Sequence, residues 1–215
     1  MGAPLVPVVF RKSPGYNVQY DWLDATTGAG YRRYYACCAD LTPDSAAEKF
    51  LTTRTLDSEP WFIALAKNNG AYTLDIDYDF DITFQLPATI AASTAYVQAL
   101  RKVTSADMDS YLVINIYHVT AAAVETLIGT ATTEAWAGGT DAYMRDIVPV
   151  TLTKKLFGIG EKLRLNVQVY TLCNPAGAET ITLYFDPSSR EVYDEYNGAT
   201  SGTDLTFDVP FEIDL

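Results

Sequence analysis

Histidine, cysteine and clustered positive charge are all scarce in this sequence. Its 215 residues include one histidine, His118, three cysteines, and 15 Lys and Arg residues against 27 Asp and Glu residues. A serine or cysteine nucleophile normally needs a neighbouring base, and zinc catalysis usually needs two or more histidines. Neither a Gly-x-Ser-x-Gly elbow nor a glycine-rich phosphate loop is present. The sequence therefore predicts a protein that is not an enzyme, with no catalytic centre, cofactor or metal site.

The shortage of basic residues also bears on partners. The net charge is −12 and the pI is about 4.4, whereas phosphate backbones are bound by clusters of Lys and Arg. No apolar run approaches the 18 residues of a membrane helix, and no signal peptide is recognisable. We expect neither nucleic acid nor membrane as a partner. Cys37, Cys38 and Cys173 fit free thiols of a reducing compartment, with one bridge to Cys173 left open.

Alternation of apolar and polar residues is the strongest pattern that is present. Residues 72–86 place every apolar side chain at an even position and mostly aspartate and threonine at the odd positions. This period of two predicts a long strand with one core face and one wet face. Residues 205–215 repeat the pattern, and Pro210 within them indicates an edge strand or a bulge, because proline cannot donate a ladder hydrogen bond.

Turn signals separate several further strands, and only one short helix is indicated. Strands are predicted at residues 94–103, 111–119, 124–133, 146–153, 163–170 and 180–185. Thr42 can cap a helix over Pro43 to Leu51. Folding would bury about 70% of the chain's surface, which suits one core. We predict an all-β protein: an antiparallel, jelly-roll-like β-sandwich over residues 61–215. An irregular Tyr- and Arg-rich region at 1–60, a possible anchoring arm, precedes it, with at most two short helices in the chain.

Two groups of side chains resemble ligand or catalytic sites but are explained more simply. Asp75, Asp77, Asp79 and Asp81 occupy alternate strand positions roughly 6.6 Å apart, too far for adjacent pairs to chelate one ion unaided. A solvated strand face is favoured, with an ion shared with a partner chain as the alternative. His118 is interpreted as a structural histidine at the end of a strand.

Sugar chemistry would need either paired acids or exposed aromatic rings. Glu191, Asp194 and Glu195 lie in a polar loop and could form a glycosidase pair, but 27 acids make such a pair uninformative. Trp136 lies in a segment that resembles an exposed loop, where its ring could stack on a sugar. A loop anchor or subunit contact is the favoured interpretation of Trp136.

The aromatic N-terminal quarter is the best candidate for a protein interface. Tyr, Trp and Arg dominate binding hot spots. The candidate interface residues are Tyr31, Arg32, Arg33, Tyr34, Tyr35, Trp22 and Trp136. A buried strand and a docking surface remain equally open for residues 31–35.

Five segments carry a family resemblance. They are the strand end at 84–87, the hairpin at 113–117 and 127–131, and residues 160–165, 184–187 and 209–215. In these segments the chain resembles jelly-roll capsid decoration (cement) proteins of tailed bacteriophages. The resemblance covers residues 72–215 and carries over no functional residue.

The resemblance implies a virion structural protein, made in the bacterial host cytoplasm, that binds the outside of an assembled capsid and stabilises it. Its partners would be the major capsid protein or other virion proteins, and copies of itself in a trimer or dimer. The alternatives are a carbohydrate-binding or host-attachment module of a phage tail or fibre, and a neck or tail accessory protein.

Overall fold

The protein is described here from a computed structural model covering residues 18–19, 29–38, 49–53, 61–67, 70–173, 179–185 and 205–212. These residues form strands and no helix. The strands are Val18–Gln19 (β1), Ala29–Cys38 (β2), Lys49–Thr52 (β3), Trp61–Lys67 (β4), Thr73–Thr83 (β5), Ala88–Ile90 (β6), Thr94–Val103 (β7), Met108–Val119 (β8), Glu125–Thr132 (β9), Trp136–Ala137 (β10), Ala142–Thr151 (β11), Lys155–Phe157 (β12), Lys162–Cys173 (β13), Glu179–Phe185 (β14) and Thr206–Glu212 (β15).

The strands belong to one sheet that folds back on itself into a sandwich. Its main path runs β10-β8-β13-β5-β3-β2-β15-β7-β14-β4, with β9 beside β8 and β11 beside β7. We call β5, β13, β8 and β9 the first layer, and β2, β15, β7, β11, β14 and β4 the second layer. The described pairings are antiparallel except for one parallel bridge, Phe50 with Asp81, where β3 turns the corner between the layers. The predicted all-β fold is confirmed.

Period-two alternation builds the core between the layers. In β8 the buried positions alternate with half-buried ones along almost the whole strand, and β13 repeats this over most of its length. Rings from opposite layers meet inside: Phe80 of β5 packs edge-on against Phe185 of β14 with ring centres 5.4 Å apart. The apolar faces of both layers are therefore removed from water against each other, which is the main stabilisation of such a sandwich.

A bulge interrupts the alternation in β5. Val169 pairs with Ile76, but the next residue of β13, Tyr170, pairs with Leu74, so Asp75 is the extra residue. One extra residue reverses the faces beyond it. Tyr72 and Leu74 are accordingly 39% and 43% exposed, and the prediction that the core face begins at residue 72 is corrected to Ile76.

Pro210 lies in an internal strand, which corrects the prediction of an edge strand. β15 pairs with β2 along its length and with β7 only from Thr206 to Asp208. The Pro210 carbonyl accepts a hydrogen bond from the Ala91 N–H at 3.0 Å on the β6 side. Since N and C=O of one residue point to the same side of an antiparallel strand, the missing N–H of Pro210 faces the side where pairing with β7 has ended.

The N-terminal region contributes strands to the sandwich. β2 and β3 fall within the predicted arm at 1–60, yet β2 pairs with β15, the last described strand. Lys49 to Leu51, predicted as the end of a helix, belong to β3. The start of that helix, at Thr42 and Pro43, lies outside the described residues.

Gly129 allows the two layers to approach where β9 meets β11. A Cβ atom at Gly129 would lie 2.6 Å from Leu152 Cδ2 and 3.0 Å from the Thr151 carbonyl oxygen. The Ile128 carbonyl accepts a hydrogen bond from the Thr153 N–H at 2.9 Å nearby. The glycine is needed here for this close approach, which brings the free edges of the two layers together.

A buried charge joins the layers. Arg101 of β7 has no exposed surface. Its guanidinium donates to both carboxylate oxygens of Asp146 on β11 at 2.8 and 3.2 Å, and to the Ser110 hydroxyl of β8 at 2.8 Å. The Trp136 ring lies over it, 5.4 Å from ring centre to guanidinium carbon. Burial lowers the pKa of Arg101, and the charge and hydrogen bonds of Asp146 oppose this.

We predict that Asp146→Asn lowers the free energy of unfolding by about 3 kcal/mol, because it leaves the buried Arg101 charge without its counter-charge. Urea denaturation measures the change. Asp141→Asn is the matched control, since Asp141 pairs with Lys102 while 66% exposed and an exposed pair contributes less than about 1 kcal/mol. Equal losses in the two variants would contradict the role given to Asp146.

Candidate functional site

Alternate residues of β2 face opposite sides of the second layer. Tyr34 and Ala36 are fully buried, whereas the Arg33 side chain is 50% exposed. Tyr31 and Tyr35 share the outward parity of Arg33 and are half-buried. The aromatic segment at 31–35 is therefore both of the things that its sequence left open, a core strand on one face and an accessible surface on the other.

The outward residues of β2 continue into a larger exposed surface. The Tyr31 and Tyr96 rings lie 6.2 Å apart, and the Tyr31 hydroxyl donates to the Thr94 carbonyl at 2.8 Å. Tyr96, Ile147 and Tyr143 are 42%, 66% and 37% exposed. We call Tyr31, Arg33, Tyr96, Tyr143 and Ile147 the outer aromatic face.

The charge of Arg33, on the outer aromatic face, is already paired. Arg33 donates two hydrogen bonds, from Nε and Nη2, to the two carboxylate oxygens of Asp208, both at 2.7 Å. The hydrogen bonding to Asp208 raises the pKa of Arg33, and desolvation opposes this. A fork-to-fork pair of this kind holds the guanidinium flat in one orientation. A partner could therefore cover Arg33 without leaving its charge unpaired.

The remaining predicted interface residues lie elsewhere. The Tyr34 ring packs in the core 6.4 Å from both Phe207 and Phe211. Arg32 is half-buried, with its guanidinium carbon 6.0 Å from the centre of the Tyr34 ring. Trp136, in β10, is half-buried against the core, so it is not the exposed platform that its loop suggested. Trp22 lies outside the described residues.

The outer side of the first layer is polar and densely bonded. Arg164 donates to Asp81 from Nε at 2.7 Å and from Nη2 at 2.9 Å, and its Nη1 contacts Asp79 at 2.9 Å and Glu125 at 2.7 Å. Asn166 Nδ2 donates to Asp77 at 2.6 Å and Asp79 at 2.8 Å. These side chains and Lys162 form a continuous row of hydrogen bonds and ion pairs along the strand face, which we call the polar ladder. Within the described residues, no cluster of three His, Cys, Asp or Glu side chains has metal-binding geometry.

Asp81 is the electrostatic centre of the polar ladder. Burial raises the pKa of Asp81, but the hydrogen bonds and charges of Arg164 and Lys162 together outweigh it and leave the pKa below its usual value of 3.8. The same contacts raise the pKa of Arg164. The folded state therefore holds Asp81 ionised more strongly than the unfolded state does.

His118 is bonded at the end of β8, as interpreted from sequence. Its Nε2 lies 2.8 Å from Glu161 Oε2, and its ring packs edge-on against Phe157. Glu161 also accepts from the Gly158 N–H at 2.6 Å, and the hydrogen bond with His118 lowers the pKa of Glu161. The pair ties the turn between β12 and β13 to the end of β8.

Several sequence-derived candidates lie outside the described residues or are settled by burial. Glu191, Asp194 and Glu195 are outside. Cys173 is buried with a free thiol, so the bridge left open for it is not formed. The described chain has no helix with the length and apolarity to span a bilayer.

Comparisons with known proteins show similarity in fold only. No family model matches the sequence, and no curated protein matches it. A CocE/NonD family hydrolase from Staphylococcus aureus aligns with 85% of this chain at 12% identity and a TM-score of 0.52. An aminopeptidase from the marine sediment archaeon Thaumarchaeota archaeon aligns with 83% at 9% identity and 0.53. This chain spans 37% and 36% of those two proteins.

These comparisons correct the prediction that the chain is not an enzyme. The solved structures with TM-scores above 0.5 include a hydrolase and an aminopeptidase, so this sandwich is a fold that enzymes contain. A structure of infectious bursal disease virus also aligns, over 84% of this chain, but its TM-score of 0.28 is too low to argue from.

The sequence did not point to the full extent of either outer surface. Tyr96 lies in β7, and Tyr143 and Ile147 lie in β11. The pairing of β2 with β15, β15 with β7, and β7 with β11 places them on the same side of the layer as the outward residues of β2. The sequence did carry one usable signal, because residues 31, 33 and 35 alternate along β2 and must therefore share one face of the sheet.

We predict that protonation of Asp81 lowers the free energy of unfolding at acidic pH. Its pKa is depressed in the folded state, so its contribution is present above about pH 4 and is lost as the pH falls through the folded value. Asp81→Asn should be less stable than the native protein at pH 7, with a constant difference from pH 7 to 5 that narrows below pH 4. Urea denaturation across this range measures it, and a difference that stays constant down to pH 2 would contradict it.

Proposed function

We propose that this chain is a phage capsid decoration protein that docks on the outside of an assembled shell through its outer aromatic face. The observation that carries the proposal is the exposure of Arg33, Tyr96, Tyr143 and Ile147, together with the half-buried Tyr31, on one side of the second layer. Aromatic residues and arginine are enriched in the interiors of protein interfaces. Exposed apolar patches on a folded chain commonly mark such interfaces.

Charge supports an outward position on a particle. The net charge of −12 disfavours contact with a packaged genome, and it keeps free copies apart in solution. The outer aromatic face itself carries the paired Arg33 and Asp208. Docking around Arg33 would therefore desolvate apolar surface together with a satisfied ion pair.

A decoration protein acts by mass action. A chain that binds the assembled shell but not free subunits stabilises the shell by RT ln(1 + [L]/Kd). Repetition over many identical sites, and association of copies into a dimer or trimer at a symmetry axis, would add to this through multivalency. Shells lacking the protein should still assemble but release their genome at a lower temperature.

Ile147→Asp and Tyr96→Asp should each weaken binding to undecorated capsids of the encoding phage by about tenfold or more, because each places a charge at the centre of the outer aromatic face. Co-sedimentation measures the binding. Leu127→Asp is the matched control, since Leu127 is 49% exposed on the opposite layer. Native protein that does not sediment with these capsids, or Leu127→Asp that loses binding equally, would refute the docking face.

The comparisons favour a second candidate, in which the chain is the sandwich domain of a hydrolase. Alignment of 83–86% of this chain with about a third of each hydrolase or aminopeptidase supports it. The purified chain would be assayed with p-nitrophenyl esters and amino-acid p-nitroanilides. Turnover proportional to protein concentration would support this candidate, and its loss in His118→Gln would place the chemistry at the His118 and Glu161 pair. No turnover with either substrate class would count against it.

A further inference from the structure

A cluster of tyrosines lies on the outer side of the first layer, on the side of the sandwich opposite to the outer aromatic face. The Tyr111 and Tyr170 rings are parallel, with an interplanar angle of 2° and centres 4.9 Å apart. Tyr72 meets Tyr111 edge-on at 5.1 Å. Tyr72 and Leu74 are exposed, and Tyr111 and Tyr170 are half-buried. We call these four residues the tyrosine platform.

The β5 bulge creates the tyrosine platform. Without Asp75 as the extra residue, Tyr72 and Leu74 would keep the phase of Ile76 and point into the sandwich. Instead the chain interrupts a ladder and exposes two apolar side chains that it could have buried. Bulges are enriched beside binding sites, where they redirect side chains. Proteins commonly accept a local loss of stability, such as this exposure of apolar side chains, at functional sites.

Hydrogen-bond acceptors border the platform on one side. Gln168 is the next outward residue of β13 after Tyr170, and its Nε2 donates to Asp77 Oδ2 at 3.3 Å. That bond leaves the Gln168 carbonyl oxygen available, and each Asp77 oxygen has a second lone pair. In the part of the chain that the structure describes, the hydroxyls of Tyr72, Tyr111 and Tyr170 make no hydrogen bond to protein. A ligand here meets the exposed Tyr72 ring, the edges of the stacked Tyr111 and Tyr170 rings, and the remaining lone pairs of Gln168 and Asp77.

The charge around the platform selects among ligands. Desolvation raises the pKa of Tyr72, and the negative charge of Asp109 raises it further. Lys162 and Arg164, the cations of the polar ladder, bind Asp81 farther along β13, and Arg164 is about 13 Å from Gln168 at the rise of a strand. The platform is therefore a negative environment that disfavours phosphate, sulfate and carboxylate groups.

We propose that the tyrosine platform binds a neutral oligosaccharide. A pyranose ring has an apolar face of C–H groups that can lie against an exposed aromatic ring, here Tyr72, and its rim of hydroxyls supplies the donors that Asp77 and Gln168 lack. The ring contacts and the bond between Gln168 and Asp77 already hold these side chains in place, so binding costs less conformational entropy. This site is separate from the outer aromatic face, so it does not depend on the proposed capsid contact.

The test is binding of the full chain to a panel of soluble hexasaccharides from glucan, mannan, xylan and chitin, followed by calorimetry with the best binder. Tyr170→Ala and Gln168→Ala should each weaken the dissociation constant by about tenfold or more, whereas Tyr143→Ala, an exposed tyrosine on the other layer, should leave it unchanged. Tyr170→Phe keeps the ring and should retain most of the affinity. Circular dichroism verifies that each variant is folded.

Several outcomes would overturn the proposal. They are no binding to any neutral hexasaccharide, tighter binding to sialylated or sulfated counterparts, and equal loss in Tyr143→Ala. Concentration-dependent self-association that Tyr170→Ala abolishes, with no sugar binding, would assign the platform to a second copy of the chain. Capsid co-sedimentation of Tyr170→Ala should be unaffected, so failure here leaves the docking proposal standing.

Discussion

The Arg101 guanidinium, buried between the layers, is the constraint on which the rest of the structure depends. It lies on β7, its carboxylate partner Asp146 lies on β11, and its third bond reaches Ser110 on β8 in the opposite layer. Desolvating this charge is costly unless each of its partners is held in place. Few other registers of the two layers would keep this charge paired. The observed register in turn determines which side chains of each strand point to solvent.

The same register decides which residues of each strand reach solvent. With Arg101 inward, Tyr96 and Gln98 of β7 must point outward, and strand pairing places Pro149 and Ile147 of β11 beside them on that face. On the other layer, Ser110 inward puts Tyr111 outward beside Tyr170. The outer aromatic face thus follows from period-two alternation that starts at one buried polar cluster, and the tyrosine platform requires the β5 bulge as well.

Most of the fold could be predicted from the sequence, because alternation is a local signal. It predicted the core face of β5 from Ile76 to Ile82, the buried Phe84 directly after the strand, and the hairpin of β8 and β9. It could not show the bulge at Asp75, since apolar residues continue in phase through Leu74 and only pairing with β13 reveals the shift. Lys49 to Leu51, predicted as the end of a helix, form a strand for the related reason that local capping signals compete with a distant pairing partner, here β2.

The candidate surfaces were harder to predict because each joins residues from distant parts of the chain. Tyr31 and Tyr96 meet only because β2 and β7 both flank β15, and Tyr72 meets Tyr111 through β13. The two surfaces differ in chemistry as well as position. One is aromatic with its arginine neutralised, which suits burial against protein. The other is aromatic, and its neighbouring acceptors keep spare lone pairs in a negative field, which suits a hydroxyl-rich ligand. Because the rigid core separates them, a chain held by the first surface would leave the second facing away from its support, where a glycan could reach it.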